Sequence, residues 1–253
     1  MLVQTVKRLL PEPLRRPLRE ARRRWRARLL PLWRVRSFDR LRRVTPLSRD
    51  WGYDRGQPID RYYIERFLAK HGSDVRGRVL EIVDATYTRR FGDGRVTRSD
   101  VLDLNPANPA ATIVDDLAVG DHIPSGAFDC IICTQTLLLI YDVRAAVRTL
   151  QRALRPGGVV LATVPGVAHQ ICRYDMDRWG DYWRFTSRSI RRLFEEAFPM
   201  ERVEVTVAGN VLAATAFLHG LAAEELTKGE LEYVDPDYEL SLCVRAVKPE
   251  RSG

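Results

Sequence analysis

The sequence predicts an α/β domain in which a mainly parallel sheet is covered by helices on both faces. Between residues 45 and 253, short apolar runs alternate with stretches of helical periodicity, and this alternation is typical of strands joined through crossover helices. Polar side chains follow several of the apolar runs, where the carboxyl ends of parallel strands would meet. Residues 1–44 precede this domain and form a separate basic arm.

Charge is distributed unevenly along the 253 residues. Residues 1–50 contain 16 Lys and Arg against 4 Asp and Glu, whereas residues 51–253 contain 25 against 29. The formal net charge of +8 therefore comes from the arm, and the rest of the chain is mildly acidic. The basic isoelectric point consequently gives no reason to expect nucleic acid binding by the domain.

The arm has the pattern of a basic amphipathic helix. Pro17 is favourable in a first helical turn, and Pro31 ends the segment. The apolar residues of one face are Leu14, Leu18, Ala21, Trp25 and Leu29. Arginines fill much of the remaining surface, which suits an anionic membrane surface, a groove on a partner protein, or loose packing on the chain's own domain. Nucleic acid is not expected as a partner, because aromatic residues are too sparse for a single-strand platform.

No stretch of the sequence has the features of a membrane span or an export signal. No run reaches about 18 apolar residues, and prolines and arginines interrupt the segment that follows Lys7 and Arg8. We therefore expect a cytoplasmic protein with reduced cysteines, which the arm would attach peripherally to the inner membrane surface if it binds lipid.

The elements of the domain follow one another in a regular order. A helix over about residues 58–71 ends at Gly72, a second over 142–154 is closed by a turn at 155–158, and a third over 187–198 begins at a Thr186/Ser187 cap. Strands are predicted at 77–83, 95–104, 111–117, 127–137, 159–166, 202–209 and 239–249, with a helical segment over 211–227.

Several predicted strands end in polar residues. Glu81 lies near the end of the first strand, Asp100 or Asp103 ends the second, and Asp116 follows the third. An acid after the second strand can accept hydrogen bonds from ribose hydroxyls, and one after the third can accept from an adenine amino group. A single acid at such a place more often caps a helix or a loop, so the set of acids carries the argument.

The run "VLEI…DVLDLNP…IVDDL…IPSGAFDCIICTQTL…AAVRTLQRALRPGGVVLATVPG" resembles the class I S-adenosylmethionine-dependent methyltransferases, in particular the type 11 methyltransferase domain. The resemblance covers about residues 60–200. It implies a Rossmann-like class I methyltransferase fold, with a seven-stranded sheet whose last strand is reversed. It also implies that S-adenosyl-L-methionine lies across the ends of the first four strands. The cofactor-binding residues that it implies are Glu81, Asp84, Thr86, Tyr87, Asp100, Asp103, Asp116, Leu117, Thr134 and Gln135.

The chain departs from the family pattern directly after the first strand. The family has a glycine-rich loop there, whereas this chain has Val83 where the first glycine falls, and its first glycine is Gly92. Only about a dozen residues separate the first two strands, so the intervening helix must be short or missing. Val83 either narrows a working cofactor pocket or packs into a site that has lost its cofactor.

The acceptor site is expected in the segment "YDMDRWGDYWRFT", which combines aromatic, acidic and arginine residues in a loop. Tyr174, Asp175 and Asp181 are the candidate general bases. A second such segment, "WGYDRGQPIDRYY", precedes the first strand and would close over the donor. The candidate substrate-binding residues of both segments are Arg55, Arg61, Tyr62, Trp179, Trp183 and Arg184. Packing of these aromatic and arginine residues over the sheet edge is the alternative.

Other classes of site find little support in the sequence. Cys130 and Cys133 form a C-x₂-C pair, but a strand would direct them to opposite faces, and no second pair follows at metal-ligand spacing. No G-x-S-x-G turn of a serine hydrolase is present. The expected function is methylation of an oxygen on a small molecule, sugar or glycan. The alternative is a catalytically silent protein of this fold that acts as a binding or scaffold partner of a membrane-associated glycan-assembly enzyme.

Overall fold

One seven-stranded sheet organises the computed structural model, which describes residues 43–250. Its strands are β1 (Gly77–Ile82), β2 (Val96–Asp103), β3 (Ile113–Val114), β4 (Phe128–Thr134), β5 (Leu154–Pro165), β6 (Val203–Ala208) and β7 (Ser241–Val247). They lie in the order β3-β2-β1-β4-β5-β7-β6. β1 to β5 pair in parallel, and β7 is antiparallel to both of its neighbours. The predicted sheet and its reversed last strand are therefore confirmed.

Helices cover both faces of the sheet. They are α1 (Ile59–Lys70), α2 (Thr86–Phe91), α3 (Val143–Ala153), α4 (Arg173–Met176), α5 (Ser187–Glu195), α6 (Val211–Leu218) and α7 (Lys228–Glu232). α3 and α5 pack with Cys133 on one face, and α1 packs with Cys130 on the other. The two cysteines thus point to opposite faces, and all four cysteines of the described chain are buried free thiols.

Local signals in the sequence explain where two helices begin. The Asp142 carboxylate accepts the N–H of Ala145 at 3.0 Å and caps α3. Thr186 and Ser189 form a reciprocal capping box at the start of α5, as the Thr186/Ser187 cap predicted. These caps satisfy backbone donors that the first helical turn leaves unpaired.

Three elements differ from the sequence-based prediction. β5 begins at Leu154, so residues 155–158 extend a strand that was predicted to start at 159. β3 has two residues, since the rest of the predicted strand at 111–117 is mostly irregular backbone. α6 ends at Leu218 because Gly220 has a φ of 70°, and a Cβ there would lie 2.3 Å from the Ser48 carbonyl oxygen.

The basic arm predicted over residues 1–44 lies outside the described residues, except for Arg43 and Val44. The described chain joins the domain close behind it, where the N–H groups of Leu47 and Ser48 donate to the His219 carbonyl. Within residues 43–250, no helix has the length and apolar character needed to span a membrane.

Candidate active site

A cavity of about 780 Å³ opens at the carboxyl ends of β1, β2 and β4. It lies at the topological switch point of the sheet, where the chain order reverses between β1 and β4. The predicted residues that line it are Glu81, Asp84, Thr86, Tyr87, Asp103, Asp116, Leu117, Thr134, Gln135, Arg61, Tyr174, Asp175 and Trp179. The fold thus brings most of the predicted donor residues and part of the predicted acceptor residues to one place.

Val83 has a backbone conformation that is typical of glycine. Its φ is 72°, in the left-handed region that a β-branched residue rarely adopts. Its N–H donates to the Leu102 carbonyl at 2.8 Å, and its own carbonyl accepts from the Asn108 side-chain amide at 2.7 Å. The side chain is 52% exposed and lines the cavity. The hypothesis that Val83 packs into the core over a lost site is therefore wrong.

Glu81 holds the loop after β1 in place. Its two carboxylate oxygens accept the N–H groups of Tyr87 and Thr88 at 2.9 and 2.7 Å, at the start of α2. α2 is six residues long, which confirms the expectation of a short helix. Burial raises the pKa of the Glu81 carboxyl, although these hydrogen bonds oppose the shift. Glu81 therefore orders the loop that faces the cavity.

Asp103 is the acid at the end of β2 that faces the cavity. Its carboxylate accepts the Asn105 N–H at 2.9 Å and the Asn108 side-chain amide at 2.6 Å. The prediction of Asp100 as an alternative is wrong, because Asp100 lies outside the cavity and pairs with Arg78 at 2.7 Å and Arg98 at 3.0 Å. Burial alone would raise the pKa of Asp100, but the two arginines outweigh it and hold this pKa below its usual range.

The turn after β3 contributes two more acidic residues to the lining of the cavity. Asp116 accepts the Ala118 N–H at 2.8 Å, and its side chain is partly exposed to the cavity. Leu117 is buried beside it. Asp115, which also lines the cavity, accepts the N–H groups of Asp116 and His122. These bonds fix the turn at the edge of the cavity.

Arg61 projects from α1 into the cavity between two phenols. Its Nε donates to the Tyr53 hydroxyl at 3.1 Å, and its Nη1 donates to the Tyr87 hydroxyl at 3.2 Å. Burial lowers the pKa of Arg61, but the nearby Asp60 and the two phenols outweigh it, so the pKa lies above its ordinary value. Arg61 is consequently a fixed positive charge beside the loop after β1.

Two predicted neighbours of Arg61 lie elsewhere. Arg55 forms a two-pronged ion pair with the buried Glu225, and its Nε–Oε2 distance is 2.7 Å. Tyr62 packs edge-on against Tyr63, and its hydroxyl faces Glu232. The prediction that Arg55 and Tyr62 bind substrate is wrong, because neither lines the cavity.

The predicted acceptor segment divides into a lining part and a supporting part. Tyr174, Asp175 and Trp179 line the cavity. Asp181, predicted as a base, accepts two bonds from Arg184 at 2.5 and 3.1 Å and lies outside the cavity. Arg184 also donates to backbone carbonyls at residues 169 and 170. The predictions of Asp181 as a base and of Arg184 as a substrate-binding residue are therefore wrong, because neither lines the cavity.

Trp183 is the remaining correction in this segment. Its indole Nε1 donates to the Ile140 carbonyl at 3.0 Å, and its ring packs against the core. This ring therefore has no free face for a substrate in the cavity. An aromatic residue next to acids gives the same local pattern whether it is a binding residue or a support, so the sequence could not separate Trp179 from Trp183.

Comparison with known proteins decides the family. A methyltransferase domain family matches residues 50–197, which is more than half of the chain. This chain belongs to that family. The predictions of a class I S-adenosylmethionine-dependent methyltransferase and of S-adenosyl-L-methionine as its cofactor are borne out. No curated protein matches the chain significantly in sequence.

Solved structures share the methyltransferase fold with this chain. Phosphoethanolamine N-methyltransferase 2 of Haemonchus contortus, solved with S-adenosyl-L-methionine, has 18% identity and a TM-score of 0.50, over 75% of this chain and 53% of that one. A SAM-dependent methyltransferase from Archaeoglobus fulgidus has 9% identity and a TM-score of 0.51, over 77% and 96%. At these identities the likeness shows the fold alone. The chain spans about half the length of the Haemonchus protein.

Sequence reasoning missed several residues of the methyltransferase cavity. Tyr141 and Tyr182 line it, and their rings meet edge to face with their centroids 5.4 Å apart. The rings of Tyr174 and Trp179 meet in the same way, with their centroids 6.2 Å apart. Tyr182 lies inside the segment that was predicted to bind the acceptor, so its aromatic character was the available signal. Tyr141 carried no such signal, because it precedes a helix cap in an otherwise apolar stretch.

Gln135 occupies an unusual position at the end of β4. Its φ is 48°, and its N–H donates to the Thr163 carbonyl at 2.8 Å. Neither its side-chain nitrogen nor its side-chain oxygen has a hydrogen-bond partner among residues 43–250, although both atoms are shielded from solvent. The residue lines the methyltransferase cavity, where a ligand would supply such partners.

Proposed function

We propose that this chain transfers a methyl group from S-adenosylmethionine to an oxygen of a small-molecule or sugar acceptor. One observation carries the proposal: a single cavity at the switch point joins a glycine-like turn after β1, acids after β2 and β3, and an aromatic wall. This wall consists of Tyr141, Tyr174, Asp175, Trp179 and Tyr182. Donor and acceptor must meet within such a cavity, because methyl transfer depends mainly on their alignment.

The residues on the β1–β3 side fit the donor. Asp103 would accept hydrogen bonds from the ribose hydroxyls, and Asp116 from the adenine amino group beside Leu117. Asp84 would accept from the amino group of the methionyl part, and Arg61, the one Lys or Arg among the described lining residues, would pair with its carboxylate. S-adenosylmethionine supplies a methyl group on a sulfonium sulfur and leaves as S-adenosylhomocysteine.

The residues on the other side fit the acceptor. Asp175 and Tyr174 lie in the aromatic wall, and either the Asp175 carboxylate or a Tyr174 phenolate would accept the proton that an acceptor hydroxyl loses as its oxygen bonds to the methyl carbon. Asp181 is not part of this step, because its carboxylate is held by Arg184. A preference for oxygen over nitrogen rests on the presence of these two bases and of aromatic rings that can stack on a sugar.

The alternative, a catalytically silent scaffold of a membrane-associated enzyme, depends on a failure to bind the donor. The exposed Val83 side chain gives that alternative no support from core packing. Attachment of the arm to an anionic membrane surface or to a protein partner, and a cytoplasmic location at the inner membrane surface, are further proposals. They rest on the charge of residues 1–50 alone.

Titration calorimetry with S-adenosylhomocysteine tests the proposed function. We expect saturable binding to the wild type, and we expect Asp116→Ala to weaken it about tenfold or more, since a hydrogen bond to a charged group is typically worth about 1.5–3 kcal/mol. Asp121→Ala is the matched control, because Asp121 is exposed on the same loop but lies outside the cavity. The control should bind as the wild type does.

Two results would contradict the proposal. A wild type that shows no binding of S-adenosylhomocysteine or S-adenosylmethionine at millimolar concentration would leave the silent scaffold as the better account. Equal affinity in Asp116→Ala and in the wild type would remove Asp116 from the donor site.

A further inference from the structure

The Gln135 amide is the starting point. A buried polar group without a partner costs about 1–3 kcal/mol, and a non-glycine residue in the left-handed region adds a further cost. Both costs fall on Gln135, whose amide nitrogen and oxygen are unpartnered among residues 43–250 and whose φ is 48°. Costs of this kind persist at sites where a ligand supplies the missing partner.

Gln135 was predicted to bind the cofactor, but it follows β4, across β1 from the acids that follow β2 and β3, and we therefore assign its amide to the acceptor. Its N–H continues the pairing of β4 with β5 through the Thr163 carbonyl. The turn that follows it is tied to the aromatic wall, because the Leu138 carbonyl accepts the N–H groups of Tyr182 and Trp183 at 2.9 and 3.2 Å. The donor-binding acids lie instead after β2 and β3, on the other side of β1.

The chemistry of an amide limits what can satisfy it. The Gln135 side chain offers N–H donors and a carbonyl acceptor side by side. A phosphate offers mainly acceptors and an ammonium offers only donors, so each would leave one of the two unpartnered atoms without a bond. Two neighbouring hydroxyl groups can accept from the nitrogen and donate to the oxygen at the same time.

The charge of the cavity points to the same class of ligand. Among the described lining residues, Arg61 is the only Lys or Arg, and two phenols already engage it. The acidic lining residues are Glu65, Glu81, Asp84, Asp103, Asp115, Asp116, Asp142 and Asp175. A phosphate or carboxylate on the acceptor would lose its hydration next to these acids without gaining a counter-ion.

We infer that the acceptor is a sugar ring that bears two neighbouring free hydroxyls and no anionic group at that end, and that the Gln135 amide binds this hydroxyl pair. The exposed rings of Tyr141 and Tyr182 provide an apolar face for the C–H side of such a ring. The inference rests on the proposed function, since it names the acceptor of the same cavity.

The first test compares Gln135→Leu with the wild type. Leucine removes the unpartnered amide at similar volume, so we expect a higher melting temperature in the absence of ligand, and unchanged affinity for S-adenosylhomocysteine. Methyl transfer to methyl α-D-mannopyranoside, measured as release of S-adenosylhomocysteine, should fall about tenfold or more, since the hydrogen bonds of the Gln135 amide to the acceptor are lost. Gln151→Leu makes the same change on α3 outside the cavity and should alter neither binding nor turnover.

The second test uses a matched set of acceptors with the wild type. Methyl α-D-mannopyranoside should be methylated, while its 6-phosphate and its 3-deoxy analogue should react about tenfold or more slowly, because the first adds an anion and the second has no two neighbouring hydroxyls. Equal or faster turnover of either analogue would overturn the inference. So would a Gln135→Leu variant that is less stable than the wild type, or as active on the mannoside.

Failure of the inference and failure of the proposed function are distinguishable. A wild type that does not bind S-adenosylhomocysteine refutes the proposed function. A wild type that binds it, but methylates none of the neutral glycosides, refutes the inference about the acceptor.

Discussion

Val83 shows how one residue can keep a backbone conformation that its own side chain disfavours. The loop after β1 is held from three directions, by the Leu102 carbonyl, by the Asn108 amide and by the Glu81 carboxylate. These bonds position the chain whatever residue occupies position 83. A β-branched residue in the left-handed region costs on the order of 1–3 kcal/mol, and the surrounding hydrogen bonds offset it.

Val83→Gly should therefore leave the protein as stable as the wild type or more stable, since relief of backbone strain outweighs the added flexibility of glycine in the unfolded chain. Affinity for S-adenosylhomocysteine should be equal or tighter, because the exposed side chain narrows the cavity. Thermal melts and calorimetry on both proteins check this. A loss of about 2–4 kcal/mol of stability, as expected for a core residue, would show that Val83 packs in the interior after all.

Asp100 gives a pH-dependent prediction. Its arginine partners hold its pKa below the unfolded value, so its contribution to stability is present above about pH 4 and is lost as pH falls through the folded-state pKa. Asp100→Asn should be less stable than the wild type at pH 7, and this difference should shrink as the pH falls below about 4. Chemical denaturation at a series of pH values measures it; a difference that stays constant down to pH 2 would argue against the ion pairs.

At the scale of elements, the segment from α4 to Arg184 acts as a braced wall. The Asp181 carboxylate accepts from Arg184 and from the Cys172 N–H, which joins the two ends of the segment. Burial alone would raise the pKa of Asp181, but Arg184 outweighs it and holds this pKa below its usual range. The ion pair between Asp181 and Arg184 therefore remains formed at neutral pH.

Arg184→Ala should loosen this wall without unfolding the domain. We expect faster proteolytic cleavage within residues 166–184 and a small change in melting temperature, because the segment packs over the sheet rather than inside it. Donor affinity should be retained, since Asp103 and Asp116 follow β2 and β3, which lie across β1 from this segment's side of the sheet. Arg188→Ala, at an exposed position on α5, serves as the control. Cleavage at the wild-type rate in Arg184→Ala would mean that the ion pair does not hold the segment.

The sequence predicted elements better than it predicted roles. Short apolar runs predicted six of the strands to within a few residues, because a strand that is buried in the centre of a sheet consists mostly of apolar residues. Arg55, Asp181 and Arg184 were assigned to the site because charged residues in aromatic loops look alike before folding. Their partners, such as Glu225, lie far away in sequence or depend on side-chain orientation, and so only the tertiary structure separates support from site.

At the scale of the whole molecule, the arm and the domain are expected to behave independently. Deletion of residues 1–44 should leave the melting temperature nearly unchanged, because the apolar pattern of the domain core begins after Trp51. It should also abolish binding to anionic vesicles, and binding by the full chain should weaken as salt rises. Vesicle sedimentation measures both. If the full chain does not bind anionic vesicles at low salt, a protein becomes the better candidate for the binding partner of the arm.

The reversed strand β7 has a consequence for the order of assembly. β6 joins the sheet only through β7, and β7 is the last strand of the described chain to be synthesised. While a ribosome is still adding residues before Ser241, the apolar edge of β5 and the whole of β6 have no partner. Until β7 has been synthesised, the backbone hydrogen-bonding groups at the β5 edge of the nascent chain therefore stay unpaired, which favours incorrect pairing with other chains. A chaperone that shields this edge during translation would raise the yield of folded protein more than one acting after release.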